Sequence, residues 1–460
     1  MRDEAADGQG LERRIGLFSA TILVIANMVG TGIFTTSGFI MAELESPRYL
    51  LLAWGVGALF ALSGALSYSE LCVRFPHAGG EYVFLRESLG RPFGFLTGWI
   101  SLIVGFSAPI AASALAFSSY LFRIFPVSPG NLPLSGAAAI CSPHNLTAVG
   151  VIVLISLIHC HGVGLGSRIQ NSFTLFKIAL VVLFIGCAFL FGTGFPGNPT
   201  VMETPPPFVA EKFAVSLIFV SFAYSGWNAA AYLGSEIINP KRNIPLALIT
   251  GTLVVSALYL LLNSVYLYAL PPDAMKNVLE IGAAAAVSLF GEPVSRLFSA
   301  AVSIGLLSVL SAMILTGPRI YYAMARDGLF FKRFGHVNPE RKTPQQAICL
   351  QAGIAILMVI TAAFDTLLIY IGFTLSLFAT LTVLGLMRLR LGGPRPQEGI
   401  PYKTIGYPLT PLFFILGNLW IIFFSIKERP VAALIGLGTI CLGALAYAFF
   451  NRKSRAERSG

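Results

Sequence analysis

The chain has 460 residues, of which 55% are hydrophobic and only 11% charged, with a net charge of +10 and a mean hydropathy of +0.77. Soluble globular chains carry about 25% charged residues, so this balance excludes a soluble enzyme or binding module and indicates an integral membrane protein. A membrane β-barrel would need alternating segments of about ten residues, and the sequence holds none.

Residues 1–16, opening MRDEAADGQGLERRI, are polar and lack a cleavage pattern after a short apolar core. They read as a soluble tail, and the helix after them as retained, not as a removed signal peptide. Twelve apolar segments follow, near 17–43, 50–74, 92–124, 146–161, 173–193, 211–236, 245–270, 295–325, 345–363, 366–388, 408–426 and 430–450. As helix, segments of this kind cross a hydrocarbon layer roughly 30 Å thick. With both termini placed in the cytoplasm, most of the 31 Lys and Arg residues fall on the inner side. Among them are Arg13, Arg14, Arg86, Arg91, Lys241, Arg242 and the C-terminal run Arg452, Lys453, Arg455 and Arg458. That bias orients a membrane protein. Topology and anionic lipid headgroups account for the net charge, and no nucleic acid is expected.

The first span is interrupted by VGTGIF at 29–34, and the sixth by YSGWN at 224–228. The interruptions lie five spans apart, an odd number, so equivalent helices cross in opposite directions, as in an inverted-topology repeat. The expected organisation is an N-terminal tail at 1–16, a first five-helix repeat at 17–193 and an inverted repeat at 211–390. Two further helices at 408–450 and a tail at 451–460 complete it. Glycines also serve close packing of membrane helices, and Gly79-Gly80 reads as a turn or a packing contact. Paired interruptions carry more weight, because unpaired backbone groups cost several kcal/mol each in hydrocarbon and survive only beside a polar cavity or a ligand. A half-helix beginning near Ile33 offers free N–H groups to a carboxylate, and one ending near Phe222 offers carbonyls to an ammonium. Side by side they form a receptor for a zwitterion such as an α-amino acid.

The chain resembles the amino acid–polyamine–organocation transporters, in particular the L-type amino acid transporter branch and its bacterial relatives. The motifs that carry the resemblance are GTGIF, SYSELCVRFPHAGGEYVFLRESLG at 67–90, FAYSGWNAAAYLGSEIINPKRNIP at 222–245 and PRIYYAMARDGLF at 318–330. It implies an all-α integral membrane protein of twelve transmembrane helices with a leucine-transporter-type fold and alternating access. It also implies a substrate carboxylate on the backbone around Gly30, Thr31 and Gly32, and an ammonium near the carbonyls of Met28, Phe222 and Ser225. Phe222 would be an aromatic gate, with Trp227 and Asn228 as pocket walls. Thr31 stands where the family often has serine, which keeps the hydroxyl. Ser225 stands where many relatives have glycine, which narrows the pocket toward small or medium neutral substrates.

Lys177, inside the fifth span, is a functional candidate by its depth. The family places a lysine there against the unwound first helix, where sodium-coupled relatives hold an ion. The alternative is a side chain snorkelling to the interface, about ten residues after Arg168. Glu70 and Glu236 are the acids nearest to span interiors, and both sit near cytoplasmic ends, where Glu70 is expected to pair with basic residues. Without an acid in the pocket a cationic side chain would lack a partner, so neutral substrates are expected.

Other constellations carry less. His159-Cys160-His161 spreads its side chains around a helix end, and no metal site is expected there. GVGLGS at 162–167 follows no strand and reads as a turn. Ser303, Ser308 and Ser311 could assist a sodium ion or simply pack. The six cysteines form no CxxC pair; Cys141 and the glycosylation-like Asn145-Leu146-Thr147 fall in an expected outside loop. The resulting expectation is a sodium-independent carrier of neutral L-amino acids, an exchanger or a proton-coupled symporter, in the cell (inner) membrane. Alternatives are a cationic amino acid or polyamine carrier and a non-transporting sensor. Enzyme activity, a cofactor and an accessory subunit are not expected; membrane lipids and a small-molecule substrate are.

Overall fold

Helix occurs within each of the twelve apolar segments in the computed structural model, which describes residues 12–125, 142–194, 206–361, 364–392 and 402–459, although the sixth segment leaves α-helix after Tyr224. In chain order the helices are α1 (Leu17–Met28), α2 (Thr31–Leu44), α3 (Pro47–Arg74), α4 (Glu81–Ser88), α5 (Arg91–Ile100), α6 (Ala108–Ile124), α7 (Pro143–Cys160), α8 (Val163–Phe191) and α9 (Ala210–Tyr224). They continue as α10 (Pro240–Ala269), α11 (Pro272–Met275), α12 (Ile281–Phe290), α13 (Glu292–Thr316), α14 (Pro318–Arg326), α15 (Gln345–Thr361), α16 (Phe364–Gly392), α17 (Leu409–Glu428) and α18 (Pro430–Ser459). A π-helical stretch, Ser101–Ser107, joins α5 to α6 without a break, and a 3-10 turn, Ala229–Tyr232, follows α9. Among the described residues there is no strand, only two isolated bridges, Ile15 to Ile237 and Ala78 to Leu233.

Ten helical segments among the described residues are long and apolar enough to cross a membrane. Two of the expected spans fall short: α9 has 15 residues and α15 has 17. Helix starts follow local chemistry. Ser46 accepts a hydrogen bond from the Tyr49 N–H with Pro47 behind it, and Ser142 does the same for Asn145 ahead of Pro143. Proline fits the first turn because its missing N–H would be unpaired there anyway. Asn145 and Thr147 therefore stand in the first turns of α7, not in a loop; Cys141 lies outside the described residues.

The core lies where α3, α9 and α10 meet α1. Trp54 of α3 is fully buried, with its ring centroid 5.8 Å from Tyr224 and 5.3 Å from Tyr259. Large apolar side chains such as Leu190, Leu416, Phe423 and Leu445 are exposed along α8, α17 and α18, as suits surfaces solvated by lipid instead of water.

Two buried acids hold the ends of the bundle together. Glu70 accepts from Arg74, Arg390 and Thr404, the pairing expected for it. Glu236 receives both arms of Arg319, Nε at 2.8 Å and an Nη at 3.0 Å, and both side chains are almost wholly buried. Removing one member of such a pair leaves a bare buried charge. Arg319→Met is expected to destabilise by about 3–5 kcal/mol, and adding Glu236→Leu should recover most of that loss. Thermal melting of the purified variants in detergent checks both.

Candidate functional site

The site begins with the break in the first span. α1 stops at Met28, Gly30 takes an extended conformation (φ −127°, ψ −152°), and α2 restarts at Thr31 with no side-chain cap. The first N–H groups of α2 and the last carbonyls of α1 therefore lack intrahelical partners. The carbonyls are answered by side chains. Tyr259 of α10 donates its hydroxyl to the Met28 carbonyl and is 3.0 Å from the Ala223 carbonyl. Lys177 is fully buried and donates to the Ala26 carbonyl at 3.2 Å and to that of Val29. Its stem lies against Gly305 of α13. The side chain does not snorkel; it places its Nζ on backbone that the break left free.

The second break follows Tyr224. The Ser225 N–H caps α9 through the Phe222 carbonyl at 3.0 Å, and Gly226 turns the chain with φ +93°. That backbone region suits glycine, and contact requires it too: a Cβ on Gly226 would lie within 2.9 Å of Asn27 backbone atoms. A Cβ on Gly32 would lie 2.4 Å from the Ala223 Cα. The two breaks are thus in van der Waals contact, each with a glycine facing the other segment.

A cavity of about 90 Å³ opens beside this contact. Of the residues expected at the site, Ser225, Trp227 and Asn228 line it. Met28, Gly30, Thr31, Gly32 and Phe222 are not among its lining residues. Phe222 belongs to a buried cluster with Leu85, Ile100, Val104 and Ile371, so its ring is held in packing and does not stand over the cavity. The Met28 and Phe222 carbonyls each accept one hydrogen bond within the protein, which leaves one lone pair apiece. A side chain at Gly32 would strike α9 before it reached a ligand.

Sequence reasoning missed Glu81. It opens α4, between the second and third spans, yet it lines the cavity and is only 5% exposed. The Tyr68 hydroxyl donates to its Oε1 at 2.6 Å and the Asn228 amide at 2.8 Å. Gly79 and Gly80, with φ of +116° and +51°, bring the chain back under the second break, where a Cβ on Gly80 would collide with the Tyr232 ring at 2.3 Å. The signal available was GGEY just after a span, where a loop and not a re-entering acid is the ordinary expectation. The inference that no acid faces the pocket is therefore corrected, and with it the charge argument against cationic substrates. The π-helical stretch contributes Ser101, Gly105 and Phe106 to the same walls, a common use of such turns.

The secondary candidates lie apart from the cavity lining. His159 is buried with Nε2 2.8 Å from the Ser311 hydroxyl, whereas His161 is exposed. Among the described residues no group of His, Cys, Asp or Glu could hold a metal ion. Ser303 and Ser308 donate to the carbonyls of Ser299 and Gly305.

Interrupted helices that meet beside a cavity inside an apolar helical bundle define a multi-pass membrane protein. The chain belongs to the amino acid permease family, whose model matches residues 15–443. It is similar to the serine/threonine exchanger SteT of Bacillus subtilis, with 29% identity over 90% of this chain and 92% of the relative. It is also similar to the mouse b(0,+)-type amino acid transporter 1, with 29% identity over 91% and 84% of the two chains. The human large neutral amino acids transporter small subunit 2 is 29% identical over 96% and 82%.

The two glycines of the first break should behave differently. A Cβ at Gly30 would meet the Val309 methyls at 3.4 Å and the Met28 carbonyl at 3.8 Å, ordinary contacts. Gly30→Ala should keep the folded protein, whereas Gly32→Ala should lose about 1–3 kcal/mol or more through overpacking. Detergent melting without ligand measures the contrast.

Proposed function

We propose that the chain is a sodium-independent secondary transporter of neutral L-amino acids that works as an exchanger by alternating access. The observation that carries this reading is the contact of the two helix breaks beside the cavity, with the Lys177 ammonium on the Ala26 and Val29 carbonyls. The free N–H groups of α2 suit a carboxylate, and the remaining lone pairs of the Met28 and Phe222 carbonyls suit an ammonium. Thr31 and Ser225 add hydroxyls on either side, and Trp227 and Asn228 bound the side-chain space. A cation already rests on the carbonyls that a sodium ion would use, which supports sodium independence. The names of the relatives support exchange and neutral substrates.

The architecture proposed is two inverted five-helix repeats, 17–193 and 211–390, with two further helices at 408–450. The distribution of Lys and Arg supports a cytoplasmic side for both termini, and the membrane is proposed to be the cell (inner) membrane. Glu81 favours a second reading, a carrier of cationic amino acids or polyamines, since a carboxylate on the cavity wall could pair with a second ammonium.

Proteoliposomes decide among these. Uptake of labelled serine that requires internal amino acid and is unchanged when sodium is replaced by choline is the expected result. Uptake driven by a proton gradient alone would show symport, competition by lysine or a polyamine but not by alanine or leucine would favour the second reading, and binding without flux would make the protein a sensor. Lys177→Ala should lower exchange by about tenfold or more, equivalent to roughly 1.4 kcal/mol on the limiting step. Unchanged flux at every pH would remove Lys177 from the mechanism.

A further inference from the structure

Glu81 is a buried carboxyl held by neutral donors. Tyr68 from α3 and Asn228 from the second break both bond its Oε1, and Asn228 also reaches the Tyr232 hydroxyl at 3.1 Å. The titratable groups that face it are Tyr68 and Tyr232, with Tyr321 of α14 beyond Tyr232. Cations on the surrounding elements are engaged elsewhere: Arg86 with Asp327 and Glu87, Arg91 with the Asp327 carbonyl, Arg74 and Arg390 with Glu70. Burial pushes the Glu81 carboxyl above its ordinary range, and the hydrogen bonds from Tyr68 and Asn228 oppose that shift.

One of its two donors stands on a segment that has to move. Asn228 follows Gly226 in the unwound turn after α9, and alternating access rocks such a segment against the rest of the bundle. When Asn228 leaves, a carboxylate with no cation beside it loses a donor and gains affinity for a proton. We propose that Glu81 is a proton-binding site of the transport cycle: its carboxylate takes one proton from cavity water when Asn228 withdraws and releases it when Asn228 returns. The step is a simple protonation, RCOO⁻ + H⁺ to RCOOH, with cavity water as source and sink. It rests on the transport reading above and gives turnover a pH dependence through one side chain. A proton fits this place better than a substrate cation, because Glu81 as a whole is 5% exposed and its carboxyl is bonded by Asn228 and the Tyr68 hydroxyl, with little surface left for an ammonium.

Two measurements on the full-length protein test it. Infrared difference spectra across a pH series should show a protonated carboxyl band that titrates above the ordinary carboxylate range and is lost in Glu81→Gln; identical spectra in both proteins would overturn the proposal. In proteoliposomes with equal pH on both sides, serine exchange by wild type should change with pH, and Glu81→Gln should lose that dependence. A variant that keeps the wild-type slope would overturn it as well. Should Glu81→Gln fail to fold, Tyr68→Phe removes a donor to the charged form and should move the spectroscopic midpoint upward by about one to two pH units; an unmoved midpoint counts against Glu81. Loss of lysine binding in Glu81→Gln with unaltered spectra would instead make the residue an anchor for cationic substrates. No exchange by wild type at any pH would remove the transport reading, while the infrared titration still decides whether Glu81 binds the proton.

Discussion

An interrupted helix inside an apolar bundle exposes backbone groups that water cannot reach, each at a cost of several kcal/mol. Around the break at Gly30 that cost is met by tertiary partners. Lys177 answers Ala26 and Val29, and Tyr259 answers Met28 together with Ala223. A buried ammonium would itself be costly without acceptors. The lysine and the broken helix therefore stabilise each other, and neither is understandable alone.

The second break depends on the same region for a different reason. Gly226 and Gly32 have no Cβ, so the segments approach until Asn27 and Ala223 fill the places where side chains would be. Tyr259 then spans both breaks with one hydroxyl, and Tyr224 returns a hydrogen bond to the Trp54 carbonyl. The unwound turn beyond Gly226 is thereby held at one end by packing. At the other end Asn228 is tied to Glu81, a neutral tether to an acid. On the proposed protonation such a joint opens with a single proton, whereas Arg319 holds Glu236 through two guanidinium hydrogen bonds.

Each break thus has an ionisable group bonded to it: Lys177 donates to carbonyls of the first, and Glu81 accepts from Asn228 of the second. The chain that carries this arrangement belongs to the amino acid permease family. Phe222 shows how far the resemblance extends. It lies in the sixth span as the motif implies, but it belongs to a buried apolar cluster and is not among the residues lining the cavity.

By itself the sequence determined the all-helical membrane class. Apolar length located the ten helical segments long enough to cross a membrane among the described residues, GTGIF and YSGWN located the breaks, and the depth of Lys177 marked it as unusual, because each of these is a local property of composition and spacing. The pairing of Glu70 with basic residues was legible for the same reason, since a lone acid near a span end needs a cation close by. Only the tertiary structure decided which groups meet. It turned the Lys177 stem inward against Gly305, it packed Phe222 away from the cavity, and it brought Glu81 beneath Asn228 from a segment that reads as an ordinary loop. Side-chain direction and the return path of a loop depend on contacts between residues more than a hundred positions apart, and no local pattern records them.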